Sequence, residues 1–293
     1  MKPLVSVIIP SYNHALFITK TIESIVNQTY GYDRIELIVY DDASTDNSLE
    51  ILKHLAVKYN FKLYRNKKNE GITSVLNFTI QRIKGKYVCI TGSDDVWMLD
   101  KLDKQVTYMQ THKQVAVSSG NALRIDHQDT LLPISKQIFS PSRSYSFEHI
   151  FLRDFPFVST NAIIRRQVLL ETGGYDEDLK IEDYYMWLKI AAAGYEIHML
   201  NKVLGYYRIH PNNTINKSML IYTEMRKIID DYVNHPLYLI ARHKLDKVYF
   251  PQLAKQHKSK ALQLLPKAIS NSRFFYRGLF WLLVPNFLAI LNR

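Results

Sequence analysis

With 293 residues, 47% of them hydrophobic and 22% charged, the chain can bury a full core, which excludes wholesale disorder. A single cysteine, Cys89, excludes an internal disulfide, and its neighbours Tyr87-Val88 and Ile90 make it a buried strand residue rather than a nucleophile. The net charge of +11 is uneven: residues 241–293 carry ten Lys or Arg against one acid, Asp246, so a nearly neutral body precedes a basic tail suited to anionic lipid, nucleic acid or simple solubility.

Val5-Ser6-Val7-Ile8-Ile9 reads as a strand, too short for a secretory signal and leading into Pro10-Ser11-Tyr12-Asn13 rather than a cleavage site, which points to a reducing cytoplasm. Ile18, Ile22, Ile25 and Val26 follow at helical spacing, and Glu36-Leu37-Ile38-Val39-Tyr40 is a second strand. It runs into Asp41-Asp42-Ala43-Ser44-Thr45-Asp46, good capping residues for a helix with Leu49, Leu52, Leu55 and Ala56 on one face. A third strand (61–64), a helix from about Gly71 and a strand ending in Ile90-Thr91 continue the alternation, which predicts a mainly parallel sheet with helices on both faces.

Further along, 115–127 is strand-like and 133–146 is a Ser- and Pro-rich loop. Helical segments are expected around 147–153, 167–172 and 183–193, and a strand at 203–209 closes the domain. From about residue 215 the pattern is helical, so we expect a catalytic domain over 1–215 and a helical, basic region over 216–293.

Chemistry is expected at the carboxyl ends of the strands, where Ser11-Tyr12-Asn13, Asp41-Asp42 and Ser93-Asp94-Asp95 lie. Two adjacent carboxylates on one turn are not both buried as anions without a counter-charge, and a hard divalent cation supplies one. An isolated Asp-Asp is also an ordinary helix cap, as is Glu182-Asp183 before the helix starting Tyr184-Tyr185. Two acidic pairs ending strands of one sheet would repel each other unless something bound there, which favours a site.

These segments resemble glycosyltransferase family 2: Val5 to Asn13, Asp41-Asp42-Ala43-Ser44-Thr45-Asp46, Asn69-Glu70-Gly71, Ser93-Asp94-Asp95, and Gly173-Gly174-Tyr175-Asp176 leading to Glu182-Asp183-Tyr184, all within about residues 4–215. The resemblance extends to bacterial surface-polysaccharide (O-antigen and capsule) enzymes. It implies an α/β protein of GT-A fold, with a Rossmann-like, mainly parallel sheet flanked by helices and a helical C-terminal extension. It further implies an inverting, metal-dependent transferase that moves a hexose or N-acetylhexosamine from a nucleotide sugar, UDP-linked by family frequency, to a saccharide acceptor, with Mn²⁺ or Mg²⁺ as cofactor.

By the same resemblance Pro10, Tyr12, Asp42, Asn69, Gly71 and Asp94 line the nucleotide-sugar side, Asp95 ligates the metal with His210 near it, and Asp183 is the catalytic base. Glu182 and Trp187 fall on the acceptor side. The sequence has Ser-Asp-Asp where the family's usual metal-binding element is Asp-x-Asp, a frequent variant.

Among rivals, a nucleotidyltransferase would carry a Gly-rich basic phosphate loop where this chain has Pro10-Ser11-Tyr12-Asn13. A nucleic-acid-binding module is disfavoured because the tail's aromatics cluster in an apolar run. Gly278–Leu291 is short of the roughly twenty apolar residues that a membrane span needs. Residues 273–293, with Phe274, Phe275, Phe280 and Trp281 beside Arg273 and Arg277, instead suit an interfacial helix, although core packing would use the same residues. A lipid-linked acceptor and a place at the inner face of the cell membrane are the corresponding expectations.

Overall fold

The computed structural model describes residues 1–133 and 139–268. The chain alternates β1 (Val5–Ser11), α1 (Ile18–Val26), β2 (Ile35–Asp41), α2 (Ser48–Tyr59), β3 (Lys62–Arg65), α3 (Ile72–Ile80) and β4 (Tyr87–Ile90). Then come β5 (Val96–Trp97), α4 (Lys101–Thr111), β6 (Val115–Ile125), β7 (Arg143–Tyr145), α5 (Phe147–Phe151), β8 (Ile163–Arg165), α6 (Arg166–Glu171), α7 (Asp183–Ala192) and β9 (Glu196–Arg208). The helices α8 (Ser218–Asp230), α9 (Tyr238–Gln256) and α10 (Lys258–Ala268) follow.

Successive side chains of a strand face opposite sides of the sheet, so a strand buried on both faces must be apolar throughout. β1 meets this requirement: Val5, Val7 and Ile9 join Ile18, Ile22 and Ile25 of α1 and Leu52 and Leu55 of α2 in one core, while the alternate residue Ile8 is equally buried. On α3, Val75, Leu76 and Ile80 are buried as well, and Cys89 is a buried, unbridged thiol of β4.

The strand order is β3-β2-β1-β4-β8-β6-β9-β5, with β7 paired to β9. β1 is parallel to β2 and β4, and β2 is parallel to β3. β8 lies antiparallel between β4 and β6, and β9 runs parallel to β6. Two antiparallel steps restore direction, so β6 and β9 end on the same edge as β1, β2 and β4.

The short strands β5, β7 and β8 and the extension of β9 back to Glu196 lie beyond the strands expected from periodicity. Two or three residues carry too little pattern to register, and β9 is long because β7 and β5 pair with different parts of it.

The chain divides into two compact units, one formed by residues 1–150 with 154–210 and the other by 151–153 with the chain from 211 onward. In the second, Tyr222 donates to Asp246 Oδ1 at 2.8 Å and Arg226 Nη1 lies 3.3 Å from the same oxygen, so the one acid of the basic tail is consumed by an internal bond. Among the described residues no helix is long and apolar enough to cross a membrane, and residues 273–293 lie outside them.

One core group is costly. Lys101 is fully buried, with its Nζ 3.9 Å from the Trp97 ring centroid and 3.7 Å from Cys89 Sγ, and burial holds its pKa below the ordinary lysine value. Replacing a poorly partnered buried ion with an apolar side chain of similar length should stabilise the fold. Lys101→Met is expected to add about 1–3 kcal/mol in urea unfolding; a lower midpoint would contradict this.

Candidate active site

The rim formed by the ends of β1, β2, β4 and β9 collects the acidic groups. Asp94 and Asp95, on the turn after β4, are only 8% and 3% exposed, and their surroundings treat the two differently. His210, two residues past β9, brings Nε2 to 2.9 Å from Asp94 Oδ2. Burial opposes ionisation of Asp94, but the His210 hydrogen bond and the nearby His14 outweigh it, and its pKa falls below the usual carboxylate value.

Asp95 accepts the Arg208 backbone N–H on Oδ1 at 2.9 Å and is also bonded by the Thr160 hydroxyl. Burial, aided by the adjacent Asp94 charge, raises its pKa well above the ordinary value. The surroundings thus favour the ionised form of Asp94 and disfavour that of Asp95. Thr21 anchors it from α1, its hydroxyl donating to Asp95 O at 2.7 Å and Ser93 O at 3.1 Å.

A third group joins them that the sequence reading did not select. His14, after β1, lies with its Nδ1 2.6 Å from Ser93 Oγ, and one ligand atom from each of His14, Asp94 and His210 falls within 4.8 Å of the others. Desolvation first, and His210 as well, lower the His14 pKa. A neutral ring donating from Nδ1 to Ser93 keeps its Nε2 lone pair for a cation. His210 therefore stands with Asp94 and His14. The signal in the sequence was His14 directly behind the Ser-Tyr-Asn turn, but only the fold brings it to residue 94.

At the end of β2, Asp42 is taken up by the chain itself. Its Oδ1 accepts from Asn66 Nδ2 at 2.7 Å and Glu70 N–H at 2.9 Å, and its Oδ2 accepts from Gly71 N–H at 2.9 Å. Asp42 thereby clamps the Asn69-Glu70-Gly71 loop against β2, where Gly71 has the left-handed φ of +91° that favours glycine. Pro10 is half-buried, Asn69 is exposed, and Tyr12 stands 44% exposed beside the rim. Ser11 Oγ and Asp41 Oδ1, paired in register across β1 and β2, are buried without hydrogen-bond partners among the described residues.

Glu182 and Asp183 open α7, Asp183 Oδ1 accepting the Tyr184 N–H at 2.6 Å, with Trp187 buried one turn on. Glu182 keeps some solvent contact, yet desolvation and the Asp183 charge push it up to about 8. Tyr207 links the two acidic pairs: after burial, the charges of Asp95, Asp94 and Asp183 all raise its phenol pKa. Asp183 is thus within electrostatic range of the same phenol as the Asp94-Asp95 turn.

Comparison with known proteins gives the family and the fold. Residues 6–173 match the model described as glycosyl transferase family 2, and residues 140–290 match glycosyl transferase family group 2. The chain is 33% identical over 226 residues to the uncharacterized glycosyltransferase RP339 of Rickettsia prowazekii, covering 74% of this chain and 67% of that one. It is 30% identical over 207 residues to the Escherichia coli UDP-Glc:alpha-D-GlcNAc-diphosphoundecaprenol beta-1,3-glucosyltransferase WfaP, covering 71% and 78%.

Among solved structures, S. aureus TarS 1-349 in complex with UDP-GlcNAc superposes with a TM-score of 0.65 at 21% identity, over 94% of this chain and 79% of that one. Mannosyltransferase PcManGT from Pyrobaculum calidifontis in complex with GDP-Man and Mn²⁺ gives 0.65 at 18% identity, over 96% and 85%. The protein is a glycosyltransferase with the GT-A fold. It belongs to glycosyl transferase family 2, which sets the nucleotidyltransferase and nucleic-acid-binding readings aside.

The Glu182 shift gives a test of the pair. A carboxyl whose folded pKa is raised is destabilising once the unfolded chain ionises, so stability should fall from about pH 4.5, the ordinary Glu value, to about pH 8 and then level. Glu182→Gln should remove that slope, leaving stability unchanged near pH 4.5 and raising it at pH 8 by on the order of 1–2 kcal/mol, a figure reduced for partial solvent exposure. Parallel urea-stability profiles for the two proteins would contradict the assignment.

Proposed function

We propose that this glycosyltransferase moves one hexose or N-acetylhexosamine from a nucleoside-diphosphate sugar, UDP-linked in the first instance, onto a saccharide acceptor with inversion at the anomeric carbon. What supports this most directly is the shared field at Tyr207, which links Asp183 to the same rim as the Asp94-Asp95 turn. Such a transfer needs an outlet for the charge developing on the departing diphosphate and a group that takes the acceptor hydroxyl's proton.

Asp183 is the general base, its carboxylate accepting the hydroxyl proton as the oxygen attacks from the face opposite the diphosphate. One displacement without an enzyme nucleophile inverts the centre. Glu182 and Trp187 border the acceptor. Pro10, Tyr12, Asp42, Asn69, Gly71 and Asp94 form the donor side, where the unsatisfied Ser11 hydroxyl and Asp41 carboxylate oxygen are further places for a ligand to bond.

The donor set fits a divalent cation. Asp94, His210 and His14 would hold it, with Asp95 as a further oxygen ligand. When bound, the cation neutralises charge on the leaving diphosphate as a Lewis acid. Two imidazole nitrogens with carboxylate favour Mn²⁺ over Mg²⁺, which prefers oxygen ligands. WfaP is named for a diphosphoundecaprenol-linked acceptor, and we carry that class of acceptor over, in bacterial surface-polysaccharide synthesis. Residues 273–293 would supply peripheral contact at the cytoplasmic face of the membrane.

A panel of UDP-, GDP- and dTDP-sugars with Mn²⁺ or Mg²⁺ tests the reading. Release of one nucleoside diphosphate is expected, higher with Mn²⁺, and lower by roughly 100- to 10,000-fold in Asp183→Asn with nucleotide binding intact. Loss of nucleotide binding in that variant would refute the base role, and no turnover of any donor would refute the donor class. Truncation at about residue 270 should release the protein from anionic liposomes; unchanged binding would remove the membrane contact.

A further inference from the structure

Asp129 lies at the tip of a small hairpin after β6, in which Asp126 N–H donates to Thr130 O and Ile125 bridges Leu131. Its φ is +67°, a left-handed conformation that Gly or Asn adopts with less strain. What Asp supplies there and Gly does not is a carboxylate. Oδ1 is 2.6 Å from Arg208 Nη2 and Oδ2 is 2.7 Å from Lys20 Nζ.

Arg208 is 1% exposed, and Asp129 is its one ion-pair partner among the described residues. The rest of its planar fork is committed to the site: Nε donates to Asp94 O at 2.7 Å and Nη1 to Asp126 O at 2.9 Å, while its backbone N–H holds Asp95 Oδ1. Its guanidinium also lies over the Phe17 ring at 4.8 Å, and Phe17 packs against His210 at 5.1 Å and His14 at 5.9 Å. One buried cation thus touches the acidic turn directly and both histidines through one ring. Without Asp129 it would lose its one ion pair among the described residues, and the guanidinium would be drawn toward solvent.

We propose that Asp129 is a positioning residue for the transfer reaction: its carboxylate holds the Arg208 guanidinium in place, and Arg208 in turn fixes the Asp94-Asp95 turn and the His14 and His210 rings in one arrangement. The cation-binding part of this inference rests on the function proposed above. Asp129 lies in a loop that no motif marks.

The test compares Asp129→Asn, which keeps shape and tolerance of the left-handed backbone, with Asp129→Gly, which also relieves the strain. Both should speed amide hydrogen exchange across residues 92–97 and 208–210 of the cation-free protein at least tenfold. Both should weaken Mn²⁺ binding, read by electron paramagnetic resonance titration with UDP present, by about five- to twentyfold. Asp129→Gly, relieved of the left-handed strain, should lose less of its unfolding midpoint than Asp129→Asn and yet weaken Mn²⁺ binding as much, a result that a role confined to folding does not give.

Lys20→Met, which removes only the outer partner, should leave exchange and Mn²⁺ affinity within twofold of the parent. Exchange and affinity unchanged in Asp129→Asn, or an equal loss in Lys20→Met, would overturn the proposal. If the unaltered protein binds no Mn²⁺, the cation reading falls, and the exchange comparison still decides whether Asp129 holds the turn.

Discussion

Two neighbouring carboxylates buried at the end of a strand are the constraint around which the rest of this site is arranged. Side by side in a poorly solvated turn they repel, and neither burial nor backbone geometry relieves that. The fold answers by treating them unequally. His210 and the nearby His14 draw the pKa of Asp94 down, whereas burial and the adjacent Asp94 charge push that of Asp95 up, against the opposing pull of its Arg208 and Thr160 bonds.

Sheet topology delivers the partners. Because β8 is inserted antiparallel between β4 and β6, the direction of β1 is restored in β6 and β9, and the ends of all these strands share one edge. His14 follows β1, the acidic turn follows β4, Asp129 follows β6, and Arg208 and His210 come from the end of β9. Sequence separations of more than a hundred residues between Asp94 and His210 are closed in this way without any long loop inside the site.

What could be read from the chain alone divides along the same line. The apolar runs of β1, β2 and β4 and the helical spacing of α1 and α2 announce a parallel sheet, since strands buried on both faces leave an unbroken apolar signature. The Asp-Asp turns and the Glu182-Asp183 helix start were legible because their residue types are costly to bury and sit at strand or helix ends. Tyr207, Arg208, Asp129 and His14 were not, as each acquires its role from a neighbour distant in sequence. A lone Arg after Tyr-Tyr, or an Asp in a turn, has an ordinary structural explanation until the pairing is known. Asp42 shows the converse: its motif marks the nucleotide side, yet its carboxylate also ties the 66–71 loop to β2, which the motif does not disclose.

The central claim is that Asp94, His210 and His14 form one cation seat on the rim where the base acts. Pulsed electron paramagnetic resonance of the Mn²⁺-loaded protein with UDP bound addresses it without reliance on turnover. Modulations from two imidazole nitrogens are predicted, one lost in His14→Gln and the other in His210→Gln. A spectrum without ring-nitrogen coupling, in which carboxylate and diphosphate oxygens alone hold the ion, would contradict the claim.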